Sequence, residues 1–107
     1  INDFEKSREG KYIYIFELSS EINPKQAYEN FKYAKDNKIG ERKYAKINSN
    51  SSKILYVGST TKSKFHLRIK QHLGFGTKTT FALHINFWRK NLKGKINLIC
   101  LKFEITT

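Results

Sequence analysis

The chain has 107 residues, a length that suits one compact domain, and its eight Phe, six Tyr and one Trp supply a modest core. It has no run of about 18 apolar residues and no signal-peptide pattern, so we expect neither a membrane span nor a secretory leader. The net charge of +12 comes mostly from residues 53–107, which hold eleven Lys/Arg against one Asp/Glu, whereas residues 1–52 hold ten against eight. This imbalance favours a polyanionic partner, and the lack of a basic amphipathic helix disfavours a membrane surface.

The single cysteine and the chain ends add two expectations. Cys100 cannot form an internal disulfide, which predicts a reducing, cytoplasmic location, and its thiol is predicted to be a small core group on a strand. The chain begins with Ile1, contains no methionine and stops at Thr107 directly after a strand-like run. We therefore expect a fragment of a longer protein.

The first predicted element is a strand over residues 12–18, which are mostly β-branched or aromatic. Side chains alternate across a strand, so Tyr12, Tyr14 and Phe16 are predicted to share one face.

The segment at about residues 20–52 predicts a helix and a hairpin strand inserted into the domain. Asn23-Pro24, a capping residue followed by a proline at the first helical position, starts the helix, which should end near Lys38. The residues that this helix should bury are Ala27, Phe31 and Ala34. Residues 43–48 and 53–58 then predict two strands joined by a hairpin loop of small polar residues.

The basic half begins with a second helix, predicted from about Ser63 and ended by the glycines at 74–76. Phe65, Ile69 and Leu73 recur every four residues and predict its buried stripe.

A third helix is predicted over residues 80–92, with a glycine at position 94 as its end. Its predicted buried residues are Phe81, Ile85, Trp88 and Leu92. Residues 96–105 predict a final strand. Together the elements predict one α+β domain over residues 1–107, with a small, mostly antiparallel sheet of three to four strands flanked by helices.

The strand residues Tyr56-Val57-Gly58 are followed by a helix that carries Arg68 and, four residues later, His72. This order resembles the GIY-YIG nuclease family, whose second signature strand reads Tyr-Ile-Gly or Tyr-Val-Gly and whose next helix carries Arg and His at that spacing. Upstream, Tyr12-Ile13-Tyr14 stands where the family has Gly-Ile-Tyr, so that Tyr14 falls on the family's tyrosine.

The resemblance implies a metal-dependent DNA endonuclease that hydrolyses phosphodiester bonds, with Tyr14, Tyr56, Arg68 and His72 as catalytic residues. Arg68 would contact the scissile phosphate through its planar fork, and Tyr14 or Tyr56 would orient or deprotonate the water. His72 would hydrogen-bond a tyrosine or the phosphate and act in proton transfer. Whether Tyr12 or Tyr14 fills the first tyrosine role stays open.

The family also implies one divalent metal, Mg²⁺ or Mn²⁺, held by a Glu on a helix after the third strand. That ligand is expected beyond Thr107, because Glu104 lies on the predicted strand itself. No small-molecule cofactor is expected.

The predicted partner is duplex or branched DNA, gripped through its phosphate backbone. The candidate contact residues are Lys62, Lys64, Lys70, Lys78, Arg89 and Lys90. Two alternatives stay open: a catalytically inactive nucleic-acid-binding module of the same fold, and an RNA- or ribosome-associated basic protein. His66 and His84 match no motif and are predicted at the surface or the core edge, whereas Gly58 is predicted to permit a close approach of the backbone.

Overall fold

The computed structural model of the chain describes residues 11–48 and 52–103. Within these ranges the fold is α+β, as predicted, and it contains three antiparallel strands in one sheet and two α-helices. The elements are β1 (Lys11–Leu18), α1 (Pro24–Asp36), β2 (Ile54–Thr61), α2 (Phe65–Leu73) and β3 (Ile96–Phe103).

Strand β1 is the centre of the sheet, paired antiparallel with β2 on one side and with β3 on the other. Its alternating sequence sends Tyr14, Phe16 and Leu18 into the core, where each is at most 2% exposed. An irregularity in the pairing after Phe16 breaks the alternation of β2, so that Leu55 is also buried in the core.

The predicted burial of Cys100 is wrong. Its thiol is free and exposed on β3, and the neighbouring Leu98, Ile99 and Leu101 are also exposed, by 42%, 37% and 52%. The physical reason is position, because β3 is an edge strand whose one partner among the described residues is β1. Apolar alternation alone does not distinguish such an edge from a covered strand.

Helix α1 forms as its sequence predicts. The Asn23 side chain accepts a hydrogen bond of 2.9 Å from the Lys25 amide, and Pro24 occupies the first helical position. The buried residues of this helix are Ala27, Phe31 and Ala34, the three predicted. The helix ends at Asp36, slightly before the predicted end.

The predicted hairpin between residues 43–48 and 53–58 is wrong. Residues 43–48 form no strand; a single parallel bridge joins Tyr44 to Ala82, and β2 pairs with β1 instead. Most of the predicted hairpin loop lies outside the described residues. The stronger partner for β2 is the long apolar strand β1, with which it shares a buried face.

Helix α2 begins at Phe65, after a 3₁₀ turn over Lys62–Lys64, and ends at Gly74, which is left-handed with φ +105°. The predicted buried stripe is partly wrong. Phe65 and Ile69 pack against the core, but Leu73 is 38% exposed and His72 is the fully buried residue of the last turn.

The third predicted helix, over residues 80–92, is also wrong, since only Ile85–Phe87 forms a single 3₁₀ turn. Ala82 is held by backbone hydrogen bonds to the segment at 43–45, so its amide and carbonyl are not available to a helix. Trp88 and Ile85 are buried and Leu92 is half-buried, but Phe81 is 61% exposed. No helix in the described part of the chain is long and apolar enough to span a membrane.

Candidate active site

Three elements bring together the four residues predicted to be catalytic. Tyr14 on β1 and Tyr56 on β2 lie with their rings stacked at a centroid distance of 6.3 Å. The His72 ring, from α2, lies 5.5 Å from the Tyr14 ring and 4.7 Å from the Tyr56 ring. Arg68 is one helical turn before His72, and its charge influences the pKa of both Tyr14 and His72. The cluster therefore joins residues that are far apart in the sequence.

Gly58 makes room for Tyr14 in this cluster. The two residues are directly opposite one another in the register of β1 and β2. A Cβ atom at position 58 would overlap Cζ and Oη of Tyr14 and would lie 2.7 Å from its Cε2. The glycine of the Tyr56-Val57-Gly58 motif thus permits a side chain, rather than the backbone predicted, to lie against the strand.

His72 is completely buried, and its hydrogen bonds define its tautomer. The Leu83 amide donates to Nδ1 at 3.1 Å, so Nδ1 carries no proton. In the neutral ring Nε2 therefore carries the proton, and this N–H donates a hydrogen bond of 3.0 Å to the Tyr14 hydroxyl oxygen. Burial, with smaller effects from the charges of Arg68 and His84, lowers the pKa of His72 to about 3. The ring is neutral near pH 7, which suits the predicted bond to a tyrosine and disfavours proton exchange with solvent.

The Tyr14 hydroxyl receives this hydrogen bond and lies close to the Arg68 guanidinium. Burial raises the pKa of Tyr14, and hydrogen bonding and charge from Arg68 oppose that rise only in part. The side chain is therefore a neutral phenol near pH 7. Because its oxygen already accepts a hydrogen bond from His72, its own O–H is directed to another acceptor, such as water or a phosphate oxygen.

Tyr12 occupies a different place from Tyr14. Its ring packs edge-on against Phe65 at a centroid distance of 5.1 Å, whereas Tyr14 contacts His72 and Tyr56. Of the two candidates for the first tyrosine role, Tyr14 is the one that lies in the cluster.

Arg68 is half-buried, and its Nη1 donates a hydrogen bond of 2.9 Å to the neutral Gln71 side chain. The salt bridges within the described ranges, Lys32–Asp36 and Lys78–Glu41, do not involve it. Its charge is therefore not neutralised by a described carboxylate. A guanidinium without a carboxylate partner at a partly exposed position has the charge and the planar donor geometry that suit a phosphate group.

The six basic residues predicted to contact DNA fall into two groups. Lys62 and Lys64 form the turn before α2, and Lys70 lies on α2; all three are exposed and belong to the segment that carries Arg68. The others lie outside it.

These other residues have local partners or neighbours. Lys78 pairs with Glu41 at 3.1 Å, and Arg89 donates to the Gly94 carbonyl at 3.2 Å. Lys90 lines a groove beside α1. The first group is therefore the better placed to act with Arg68.

The expected ligand of the divalent metal, a Glu predicted beyond Thr107, is not among the described residues. Among them there is no group of three or more His, Cys, Asp or Glu side chains placed to hold a metal ion. Glu104 lies outside the described ranges.

His84 is the residue near this site that sequence reasoning misplaced. It was predicted at the surface or core edge, but it is completely buried, and its Nε2 lies 2.9 Å from the Lys43 carbonyl oxygen and 3.1 Å from that of Thr80. The burial of His84 is not predicted because the helix predicted over residues 80–92 does not place this histidine on its buried face. The sequence offers only a weak signal for this burial, namely that the residues around His84, Ala82, Leu83 and Ile85, are apolar.

No protein-family model, curated protein or solved structure matches this chain. The likeness to the GIY-YIG nucleases accordingly depends on the motif residues and on the cluster that they form.

Proposed function

We propose that this protein is a metal-dependent DNA endonuclease of GIY-YIG type, which binds a phosphodiester group at the cluster of Tyr14, Tyr56, Arg68 and His72. The observation that carries the proposal is the convergence of two stacked tyrosines, a neutral buried histidine and an arginine without a described carboxylate partner. A structural aromatic cluster has no need of an uncompensated charge at its edge. A phosphate site does.

Hydrolysis forms a bond from the water oxygen to phosphorus while the bond to the leaving oxygen breaks; the water loses a proton and the leaving oxygen gains one. Arg68 supports this by balancing charge on the phosphoryl oxygens. Tyr14, held by His72, orients the water or phosphate through its O–H. It becomes a base only when added positive charge lowers its pKa, because burial raises that pKa in the free protein.

The divalent metal stays part of the proposal through the family resemblance, where it supplies charge stabilisation on the leaving side. Within the described ranges, no three or more His, Cys, Asp or Glu side chains are grouped to hold it. Addition of Mg²⁺ or Mn²⁺ to the protein is the direct test of this requirement.

DNA is proposed as the partner because residues 53–107, which include Tyr56, Arg68 and His72, carry eleven Lys/Arg against one Asp/Glu. Exposed Lys62, Lys64 and Lys70 are suited to backbone contacts, which position a duplex without reading its sequence. A cytoplasmic location is proposed from Cys100, because a free, exposed thiol suits a reducing compartment.

The test is cleavage of supercoiled plasmid by the protein with Mg²⁺ or Mn²⁺. We expect Arg68→Ala to lower the rate by roughly 100- to 1,000-fold, the usual cost of removing a group that stabilises transition-state charge. Arg68→Lys should recover part of it, because it restores the charge but not the fork. The matched control is Lys32→Ala, which removes an exposed cation on α1. Equal rates for wild type and Arg68→Ala would refute the assignment.

A catalytically inactive module that binds nucleic acid is the second candidate. It is favoured by the raised pKa of Tyr14, which opposes a role of this tyrosine as a base. Salt-sensitive DNA binding without cleavage in any divalent metal would establish it. Competition between duplex DNA and RNA of equal length tests the remaining alternative, an RNA- or ribosome-associated protein.

A further inference from the structure

The His72 tautomer depends on one backbone group, the Leu83 amide, which donates to Nδ1 at 3.1 Å. The His72 side chain then presents its Nε2 proton to Tyr14. If the Leu83 amide moved away, Nδ1 would be free to carry the proton and Nε2 would become an acceptor. The donor on the Tyr14 oxygen would be lost. The position of Leu83 is therefore a condition for the arrangement of the candidate active site.

Hydrogen bonds to the Leu83 carbonyl and to the backbone of Ala82 hold Leu83 in place. The Trp88 indole donates to the Leu83 carbonyl at 2.8 Å. On the preceding residue, the Ala82 amide donates to the Lys43 carbonyl at 3.3 Å, and the Ala45 amide donates to the Ala82 carbonyl at 3.0 Å. The amide and carbonyl of Ala82 and the carbonyl of Leu83 are thus all satisfied.

His84 completes this attachment from the other side of Leu83. Its Nε2 faces two carbonyl oxygens, those of Lys43 and Thr80, so it must be the protonated nitrogen of the ring. Its Nδ1 is then an acceptor and lies 3.5 Å from an Arg42 Nη1. The His84 tautomer, like that of His72, is defined by its neighbours.

The backbone of His84 is left-handed, with φ 50° and ψ 49°. A residue other than glycine in this region is strained and persists where the surrounding structure holds it. The hydrogen bonds of the buried imidazole supply that restraint. The strained backbone conformation is therefore maintained by the hydrogen bonds that hold the His84 ring between Lys43 and Thr80.

We propose that His84 is a positioning residue, which holds the Leu83 amide on His72 Nδ1 and thereby keeps the Nε2 proton of His72 on Tyr14. The catalytic consequence rests on the proposed nuclease function, but the hydrogen-bond arrangement does not. His84 contacts backbone carbonyls, Arg42 and the Tyr44 ring rather than Tyr14, so it acts on Tyr14 through the 82–84 segment and His72.

The test compares His84→Leu with His84→Gln by ¹⁵N NMR of the His72 ring, whose shifts distinguish a bare from a protonated nitrogen. Both variants place a side chain with a Cβ in the left-handed region, so the backbone strain is matched. Glutamine keeps an N–H donor for the Lys43 carbonyl, and leucine does not. We expect His72 to resemble wild type in His84→Gln. In His84→Leu the ratio of its tautomers should shift by roughly two- to tenfold, the factor corresponding to one net hydrogen bond.

Unchanged His72 shifts in folded His84→Leu would overturn the proposal. If that variant does not fold, His84→Ala provides the second measurement, because it also lacks the donor to the Lys43 and Thr80 carbonyls. Hydrogen exchange of the Leu83 amide should then accelerate relative to that of Phe31 in α1. An unchanged ratio of the two exchange rates would overturn the proposal in turn.

Cleavage separates this inference from the proposed function. If the protein cuts DNA, His84→Leu should lower kcat with little change in KM, and His84→Gln should recover most of it. An altered His72 tautomer with unaltered kcat would make His84 a structural residue only and overturn its positioning role. Absence of cleavage by the full-length protein in both Mg²⁺ and Mn²⁺ would refute the nuclease proposal, while the NMR comparison would still decide whether His84 controls His72.

Discussion

Acid should destabilise this protein through His72. The unfolded imidazole has a pKa of about 6.5, whereas burial lowers the folded pKa to about 3. Between these values the unfolded state binds a proton that the folded state does not. The free energy of unfolding therefore rises with pH across this window; the contribution is complete above pH of about 6.5 and is lost as pH falls towards about 3.

The magnitude follows from about 1.36 kcal/mol per pH unit below the unfolded pKa. At pH 5 the loss is about 2 kcal/mol, and at pH 4 it is about 3 kcal/mol. Solvent does not screen this effect, because the His72 side chain is 0% exposed. A domain of this size has a total stability of about 5–15 kcal/mol, so the predicted loss is a substantial fraction of the whole.

Urea unfolding of wild type and His72→Gln at pH 7, 6, 5 and 4 measures the effect. His72→Gln lowers the stability at every pH, but its stability should depend less on pH by the amounts above. The pKa of His84 is also lowered by burial, and this histidine is present in both proteins, so the comparison isolates His72. Parallel pH profiles, or an NMR titration of folded His72 near pH 6.5, would refute the reasoning.

Three further predictions concern packing, capping and DNA binding. Gly58→Ala should cost about 1–3 kcal/mol in urea unfolding, because the new Cβ overlaps the Tyr14 ring, whereas exposed Ser59→Ala should stay within about 0.5 kcal/mol; equal stabilities would contradict the overlap. Asn23→Ala should cost about 1 kcal/mol in thermal unfolding by removing the cap of α1, and Asn23→Gly only a few tenths; equal losses would exclude a capping role. In DNA-binding titrations, Lys64→Ala should reduce the slope of the logarithm of the binding constant against the logarithm of the salt concentration by about 0.9, and Lys32→Ala should leave it unchanged. An unaltered slope for Lys64→Ala would show that Lys64 does not contact DNA.

The elements predicted correctly are those whose information is local. The alternation of β1 and the Asn23-Pro24 start of α1 each specify their own structure within a few residues. The glycine that ends α2 does the same, through a left-handed conformation at Gly74. These signals depend on neighbouring residues and not on distant contacts, so the sequence alone was enough to predict the elements.

The elements predicted wrongly are those whose hydrogen bonds are made elsewhere in the chain. Phe81, Ile85, Trp88 and Leu92 recur every three or four residues and satisfy a helical pattern, yet Ala82 bonds to residues 43 and 45. The same bonds removed residues 43–48 from the predicted hairpin. The spacing of apolar residues along a segment does not show whether its backbone pairs with a distant segment, so neither segment was predictable from its own sequence.

By itself the sequence determined the class of the fold, the charge imbalance and the residues that resemble a nuclease motif. Only the tertiary structure decided that Tyr14 rather than Tyr12 lies on His72, a contact across 58 positions of sequence. It also decided which nitrogen of His72 holds the proton, through the Leu83 amide. The physical reason is that burial and hydrogen-bond direction depend on groups from distant segments, whereas secondary-structure preference depends on near neighbours.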